Sequence, residues 1–294
     1  MKYQKSQSIN KITFTQKMKS YKSDPLSFIL LILVCISACV TIFIIAVIIG
    51  YIIVKGLPEI SPELFEWEYN SDNVSMMPAI INTVNMTLLS LAMAVPAGVF
   101  SAIYLVEYAK KGNKLVSIIR ITTETLAGIP SIVYGLFGYL MFVIACKLGN
   151  SMLSGALTMS IMVLPTIIRT TEESLMSVPD SFREGSFGLG AGRLRTVFRI
   201  VIPAAVPGIL SGIILSTGRI VGETAALIYT SGTIAGIPEN LMDSGRTLSV
   251  HMYALLSEGL YTEQAYATAV VLLVMVAGIN TLSNIIAKKI SVRY

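Results

Sequence analysis

Six stretches without a charged side chain constrain this chain more than anything else in it. They run over residues 26–54, 79–106, 125–146, 148–168, 200–218 and 264–287. A helix needs about 20 consecutive apolar residues to cross a hydrocarbon layer roughly 30 Å thick, so each run is near or above the length of a span. The composition agrees: 54% of residues are hydrophobic, 13% are charged and the mean hydropathy is +0.72, values of membrane proteins and not of soluble domains. The first run follows six lysines (Lys2, Lys5, Lys11, Lys17, Lys19 and Lys22). It is too long for a secretory signal core and has no small-residue cleavage site, so it reads as a span. Gly98, Gly128, Pro130, Gly135, Gly138, Gly208 and Gly212 recur inside the runs. Small residues let neighbouring helices approach closely, and a bundle can satisfy backbone groups freed by proline.

Charge sets the orientation. Eighteen of the 22 lysines and arginines fall in the tail, the 110–120 segment, the 169–199 segment and the C-terminus; Lys55, Lys147 and Arg246 fall on the other side. This bias places the basic pieces, and both termini, in the cytoplasm, which requires an even number of spans. The expected fold is an all-α polytopic membrane protein with six transmembrane helices. Its parts are a basic tail at 1–25, a first helix at 26–54 and an outer loop at 55–78. A transmembrane domain follows at 79–287, with helices at about 79–106, 119–146, 148–168, 203–225 and 264–287, a cytoplasmic loop at 169–202 and a tail at 288–294. The segment 224–238 is uncharged but short and interrupted by Gly232 and Gly236, so it is assigned to the end of the fifth helix and an outer loop. The outer loops are acidic, which reads as solvated surface or as contact with an extracytoplasmic partner.

The polar segment 184–203, EGSFGLGAGRLRTVFRIVIP, lies between two apolar runs. Pro179 and Asp180 suit the first turn of a helix, where an unneeded amide and a favourable dipole await them. Gly190 and Gly192 close that helix, and a second short one is expected from Arg193 to Ile202. A helix of about ten residues is marginal alone, so Phe182, Phe187 and Leu189 are expected to dock on something outside the loop. Glu184, Gly190, Ile200, Ile202 and Pro203 stand at the spacing of E-A-A-x-x-x-G followed by I-x-L-P. This pattern resembles the coupling loop in membrane subunits of type I ABC importers. Gly185 and Ser186 replace its two alanines, and Ile202 its leucine. The resemblance implies the type I ABC importer permease fold. It also implies that Glu184, Gly185, Ser186, Gly190, Ile200 and Pro203 form the element that engages a cytoplasmic ATPase.

One charge within the runs remains, Arg219, with Glu223 four residues on. An arginine at the centre of a membrane helix costs about 2.5–3.5 kcal/mol, less toward the interface. Two readings answer this cost: an ion pair with Glu223 on one helix face, or a water-filled path in which the guanidinium holds an oxyanion in two bonds. The stretches GRIVGETAAL, LAGIPSIVYGLFG and VPDSFREGSFGLGA resemble the phosphate-specific branch of the importer family. TLSVHMYALLSEG is closer to its A-type than to its C-type permease. This resemblance places Arg219, and with it Glu223, on the substrate pathway. It implies import of inorganic phosphate across a bacterial or archaeal cell membrane, with permeases for sulfate, molybdate or phosphonate as the alternative. Its implied partners are a second permease subunit, an ATPase dimer, an extracytoplasmic phosphate-binding protein, phosphate and membrane lipid.

No G-x-x-x-x-G-K-[ST], H-E-x-x-H or G-x-S-x-G is present, so the chain has no recognisable nucleotide site or hydrolase machinery. No catalytic residue, metal ligand, cofactor of its own or nucleic-acid partner is expected; ATP and Mg belong to the ATPase. His251 has no ligating neighbour and reads as a surface or packing residue. Cys35, Cys39 and Cys146 lie in apolar runs and are expected to be reduced and packed.

Overall fold

The computed structural model describes residues 25–110 and 112–291. The tail with its six lysines, Lys111 and Arg293 lie outside the described residues. Regular structure among the described residues is helical throughout, and the chain divides into two compact units, 1–54 and 55–294.

The described part of the first unit belongs to one helix, α1 (Pro25–Gly56), with a mean hydropathy of 3.2 over its most apolar window. Ile29, Leu33, Ile36, Phe43, Val47 and Val54 are all exposed. A helix apolar on every side suits lipid and not water. Thr41 hides its hydroxyl by donating to Ser37 O at 2.9 Å. Cys35 and Cys39 are free but exposed, as is Cys146. The expectation of packed thiols is therefore corrected: all three positions are exposed.

The second unit contains α2 (Met77–Tyr108), α3 (Lys114–Ala127), α4 (Ser131–Ala145), α5 (Met152–Met176), α6 (Asp180–Gly188), α7 (Arg193–Val221), α8 (Ala225–Thr230), α9 (Leu248–Glu258) and α10 (Thr262–Ser291). α2 and α5 lie side by side and parallel. Gly98 lets Ile167 approach, Ser160 donates to Ser90 O at 3.0 Å, and Met86, Met159, Met162 and Val163 close the core around them. α7 runs antiparallel to α5. A Cβ at Gly208 would meet Ser174 Cβ at 2.8 Å, and one at Gly212 would meet Thr170 Cβ at 2.7 Å. Glycines one turn apart thus form a flat strip that admits the neighbouring backbone, the usual solution where lipid offers no hydrophobic drive to association. Gly135 admits the Ala226 backbone in the same way, which seats α8 on α4.

Among the described residues five helices are long and apolar enough to cross a membrane, and α3 with α4, bent by 106°, is long and apolar enough to make a sixth when taken as one span. The inner ends of α2 and α5 meet at Arg183, which bonds Glu107 and Leu175 O. The outer ends share the segment 236–246, through Asn82 to Arg246 O and Met152 N–H to Asp243 O. The chain between α2 and α5 must therefore return across the membrane, and among the described residues α3 with α4 provides the route.

Four boundaries differ from those read in the sequence. The span expected over 119–146 is broken at Gly128–Pro130, where proline removes a helical amide and crowds the preceding turn. α5 continues through 168 to Met176, because Thr170 and Ser174 turn their hydroxyls back onto α5 carbonyls. The residues Arg193–Ile202 are not a separate loop helix but the first turns of α7. Pro203 is accommodated because the carbonyl it would crowd, that of Arg199, sits in a wider π turn at Val197–Val201. The segment 224–238 is no span, as expected, yet the outer stretch is not simply loop: it contains α8 and α9.

α9 buries Leu248, Val250, His251 and Leu255 under the outer cap. Asn73 organises this cap. Its Nδ2 donates to Glu66 Oε2 (2.7 Å) and Glu68 O (2.8 Å), while its Oδ1 accepts from Asn70 and Ser75 N–H, both at 3.0 Å. That box holds Val74 at φ 45°, which a β-branched residue rarely adopts. His251 is a packing residue, fully buried, edge-on to Tyr69 at 6.1 Å between ring centres. Burial, and then the Arg246 guanidinium, push its pKa down to about 3, against a weaker opposing contribution from the Val74 backbone. The folded protein therefore keeps His251 neutral where the unfolded chain protonates it. Stability from this site is present above pH about 6.5 and is lost as pH falls toward 3. Thermal unfolding midpoints should fall over that window by more in the native protein than in His251→Leu. Equal pH profiles would contradict the assignment.

Candidate functional site

α6 begins after Pro179 with Asp180 in its first turn and ends in a paired cap. Gly190 N–H donates to Phe187 O at 2.9 Å and Ala191 N–H to Ser186 O at 3.1 Å, with Gly190 at φ 83°. This is the closure that favours glycine one residue beyond the helix. Ser186 is buried, and its Oγ lies 2.8 Å from Thr196 Oγ1, tying α6 to the start of α7. A small residue is needed there, which is what remains of the alanine pattern. Glu184 and Gly185 are exposed, and a Cβ on Gly185 would meet nothing within 4 Å. Phe182, Phe187 and Leu189 are exposed too, Leu189 at 91%. Phe182 and Leu189 flank a groove also lined by Gly190, Arg195 and Ile200. Pro203 lies further along α7. The structure thus gathers Gly185, Ser186, Gly190 and Ile200 on one rim, with Glu184 beside it and Pro203 outside it.

Charge counting alone hid a third participant, Arg183. It was one cation among five in the loop, yet here it is largely buried and bonded to Glu107 through Nε (3.1 Å) and Nη2 (2.7 Å). The signal that could have revealed it is Glu107, an acid directly after an apolar run that needs a partner.

Arg219 occupies the last turn of α7 and is half-buried. α7 ends at Val221 with Gly222, so Glu223 is not on the same helix face. The Glu223 side chain is buried and its Oε1 accepts the Ala226 N–H at 3.2 Å, while its backbone O accepts from Ser249 Oγ. The alternative of an Arg219–Glu223 ion pair is thereby removed, and among the described residues Arg219 has no ion pair at all. The Tyr134 phenol of α4, which donates to Leu126 O at 2.7 Å, lies within electrostatic reach of it. Such an uncommitted guanidinium can offer its fork of donors to an oxyanion. Among the described residues no acidic, histidine and cysteine cluster could hold a metal.

Residues 94–294 match the family described as "Binding-protein-dependent transport system inner membrane component". The "Probable ABC transporter permease protein YqgI" of Bacillus subtilis is 32% identical over 233 residues, covering 73% of this chain and 79% of that protein. The "Phosphate transport system permease protein PstA" of Mycobacterium leprae is 34% identical, covering 69% and 67%. Its namesake in Pasteurella multocida is 31% identical, covering 80% and 84%. Among solved structures, a bacterial alginate ABC transporter chain superposes with a TM-score of 0.66 at 17% identity, over 93% of this chain and 97% of that one. A chain of the MetNI methionine ABC transporter gives 0.57 at 16%, over 73% and 94%. At these identities the structures establish the fold alone.

Proposed function

Because this chain belongs to the family of binding-protein-dependent transport system inner membrane components, we propose that it is a PstA-like permease subunit of an ATP-driven importer of inorganic phosphate. It supplies half of the translocation pathway, in the cell membrane of a bacterium or archaeon. The observation that carries the anion assignment is Arg219, a half-buried cation in a membrane helix with no ion pair among the described residues. The names of two relatives, phosphate transport system permease proteins, support the cargo.

Importing a phosphate dianion against an inside-negative potential costs nearly 5 kcal/mol per 100 mV, before any concentration gradient. The energy comes from a partner ATPase dimer, PstB-like, which binds ATP and Mg. Its closure pulls α6 by the exposed Phe182, Phe187 and Leu189. Phosphate arrives from an extracytoplasmic PstS-like binding protein and passes Arg219 between this chain and a PstC-like second permease. Glu223, by holding the first turn of α8, fixes the backbone that follows Arg219. A guanidinium bordered by water and not by a full cage attracts the anion without trapping it.

Glu184→Lys tests the docking. It is exposed and outside the fold's own bonding, so assembly of the chain should survive. Phosphate uptake per ATP hydrolysed should fall about tenfold, within the range of single-residue coupling effects. Unchanged coupling, or a purified chain with which no ATPase copurifies, would contradict it.

A further inference from the structure

The coupling helix α6 is joined by the chain itself to α5 and α7. The geometry points to a third helix driven by it: α2, gripped at its inner end by Arg183 and Arg193. This inference rests on the transporter reading above.

α2 ends in a π turn, Tyr104–Tyr108, that carries Glu107 into a buried position. A buried carboxylate requires a partner. Arg183 provides one and commits its remaining donors to two other elements. Nη2 also donates to Leu175 O on α5 (2.9 Å), and Nη1 donates to Val178 O (2.8 Å) and Asp180 Oδ1 (3.2 Å) at the start of α6. One side chain therefore bonds the end of α2, the end of α5 and the head of α6. From the far side of α6, Arg193 lies over the Tyr108 ring, 5.6 Å from its centre. The same π turn is held by α6 through Arg183 and by the first residue of α7 through Arg193.

A buried ion pair adds little net stability, because desolvation offsets attraction, but removing one partner is strongly unfavourable. Its value is geometric: three elements cannot separate without stranding a charge. α2 is also a rod fastened elsewhere. Asn82 near its outer end donates to Gly236 O (3.0 Å) and Arg246 O (3.2 Å). Those carbonyls belong to the outer segment that follows Arg219 and Glu223. Movement of α6 is thus carried through Glu107 along α2 to the outer cover of the pathway.

The test uses the full complex in proteoliposomes, reading phosphate uptake per ATP hydrolysed. Glu107→Gln and Arg183→Gln should each lower this ratio about tenfold, and the double variant should be no worse than either, as for two halves of one joint. Arg183→Lys, one ammonium in place of a planar fork, should recover only part. Additive losses, or an unchanged ratio, would overturn the proposal. A second measurement holds even where a variant fails to assemble. With the native pair intact, spin labels at Lys110→Cys and Ser181→Cys, both exposed sites, should keep one separation with and without ATP. A separation that changes with ATP would show that α2 does not follow α6. ATP-driven uptake by the native complex in the same vesicles establishes the transporter reading separately.

Discussion

Arg219→Gln is expected to reduce phosphate uptake by about a hundredfold or more while leaving the complex assembled and ATP hydrolysis in place. A bidentate contact to an ionised oxyanion supplies two charge-assisted bonds of about 1.5–3 kcal/mol each, so losing both removes at least that factor. Assembly should survive because, among the described residues, Arg219 makes no ion pair that holds α7 to its neighbours, and glutamine is easier to place in a membrane helix than arginine. Arg219→Lys keeps the charge and loses the fork, so intermediate uptake is expected. Radiolabelled phosphate uptake into vesicles, normalised to assembled complex, gives the comparison. Native rates in Arg219→Gln would remove this residue from the pathway.

Gly212→Leu should have the largest effect on the fold. Gly212 sits where α7 touches α5, and a Cβ there would meet Thr170 Cβ at 2.7 Å. Thr170 cannot rotate freely away, since its hydroxyl donates to Thr166 O at 2.8 Å. Forcing a side chain into such a contact costs about 3 kcal/mol, the upper end of ordinary overpacking. The fraction of intact complex after detergent extraction should fall sharply, together with its thermal midpoint. Gly185→Ala is the contrasting substitution: its Cβ meets nothing, and alanine favours the helix by about 1 kcal/mol. Equal stability of Gly212→Leu and the native chain would mean that α5 and α7 do not meet as described.

The long apolar helices were legible in the sequence because lipid imposes a coarse rule, run length. The short polar helix before α7 was legible through spacing, down to Gly190, whose φ of 83° explains why that position takes glycine. What escaped depended on tertiary context. Gly128 and Pro130 are compatible with a straight helix in a bundle or with a break, and only packing decides for the break. α9 is 11 residues long, too short for any criterion that searches for spans. Arg219 and Glu223 suggested a helical pair four residues apart, but Gly222 ends the helix between them. Arg183 was counted as one more inner cation, since nothing local tells a solvated arginine from one that reaches Glu107, 76 residues away. Pattern identifies the long apolar helices and the short polar helix set between two of them. It does not identify the bonds that connect them.

The central claim is most directly tested by reconstituting this chain with its copurifying permease and ATPase subunits in proteoliposomes. ATP is supplied on the side of α6, and a phosphate-binding protein with labelled phosphate on the other. Accumulation of phosphate above its external concentration, strictly dependent on hydrolysable ATP and not reproduced with sulfate, is the expected result. Equilibration without ATP, or hydrolysis that moves no phosphate through the native complex, would contradict it.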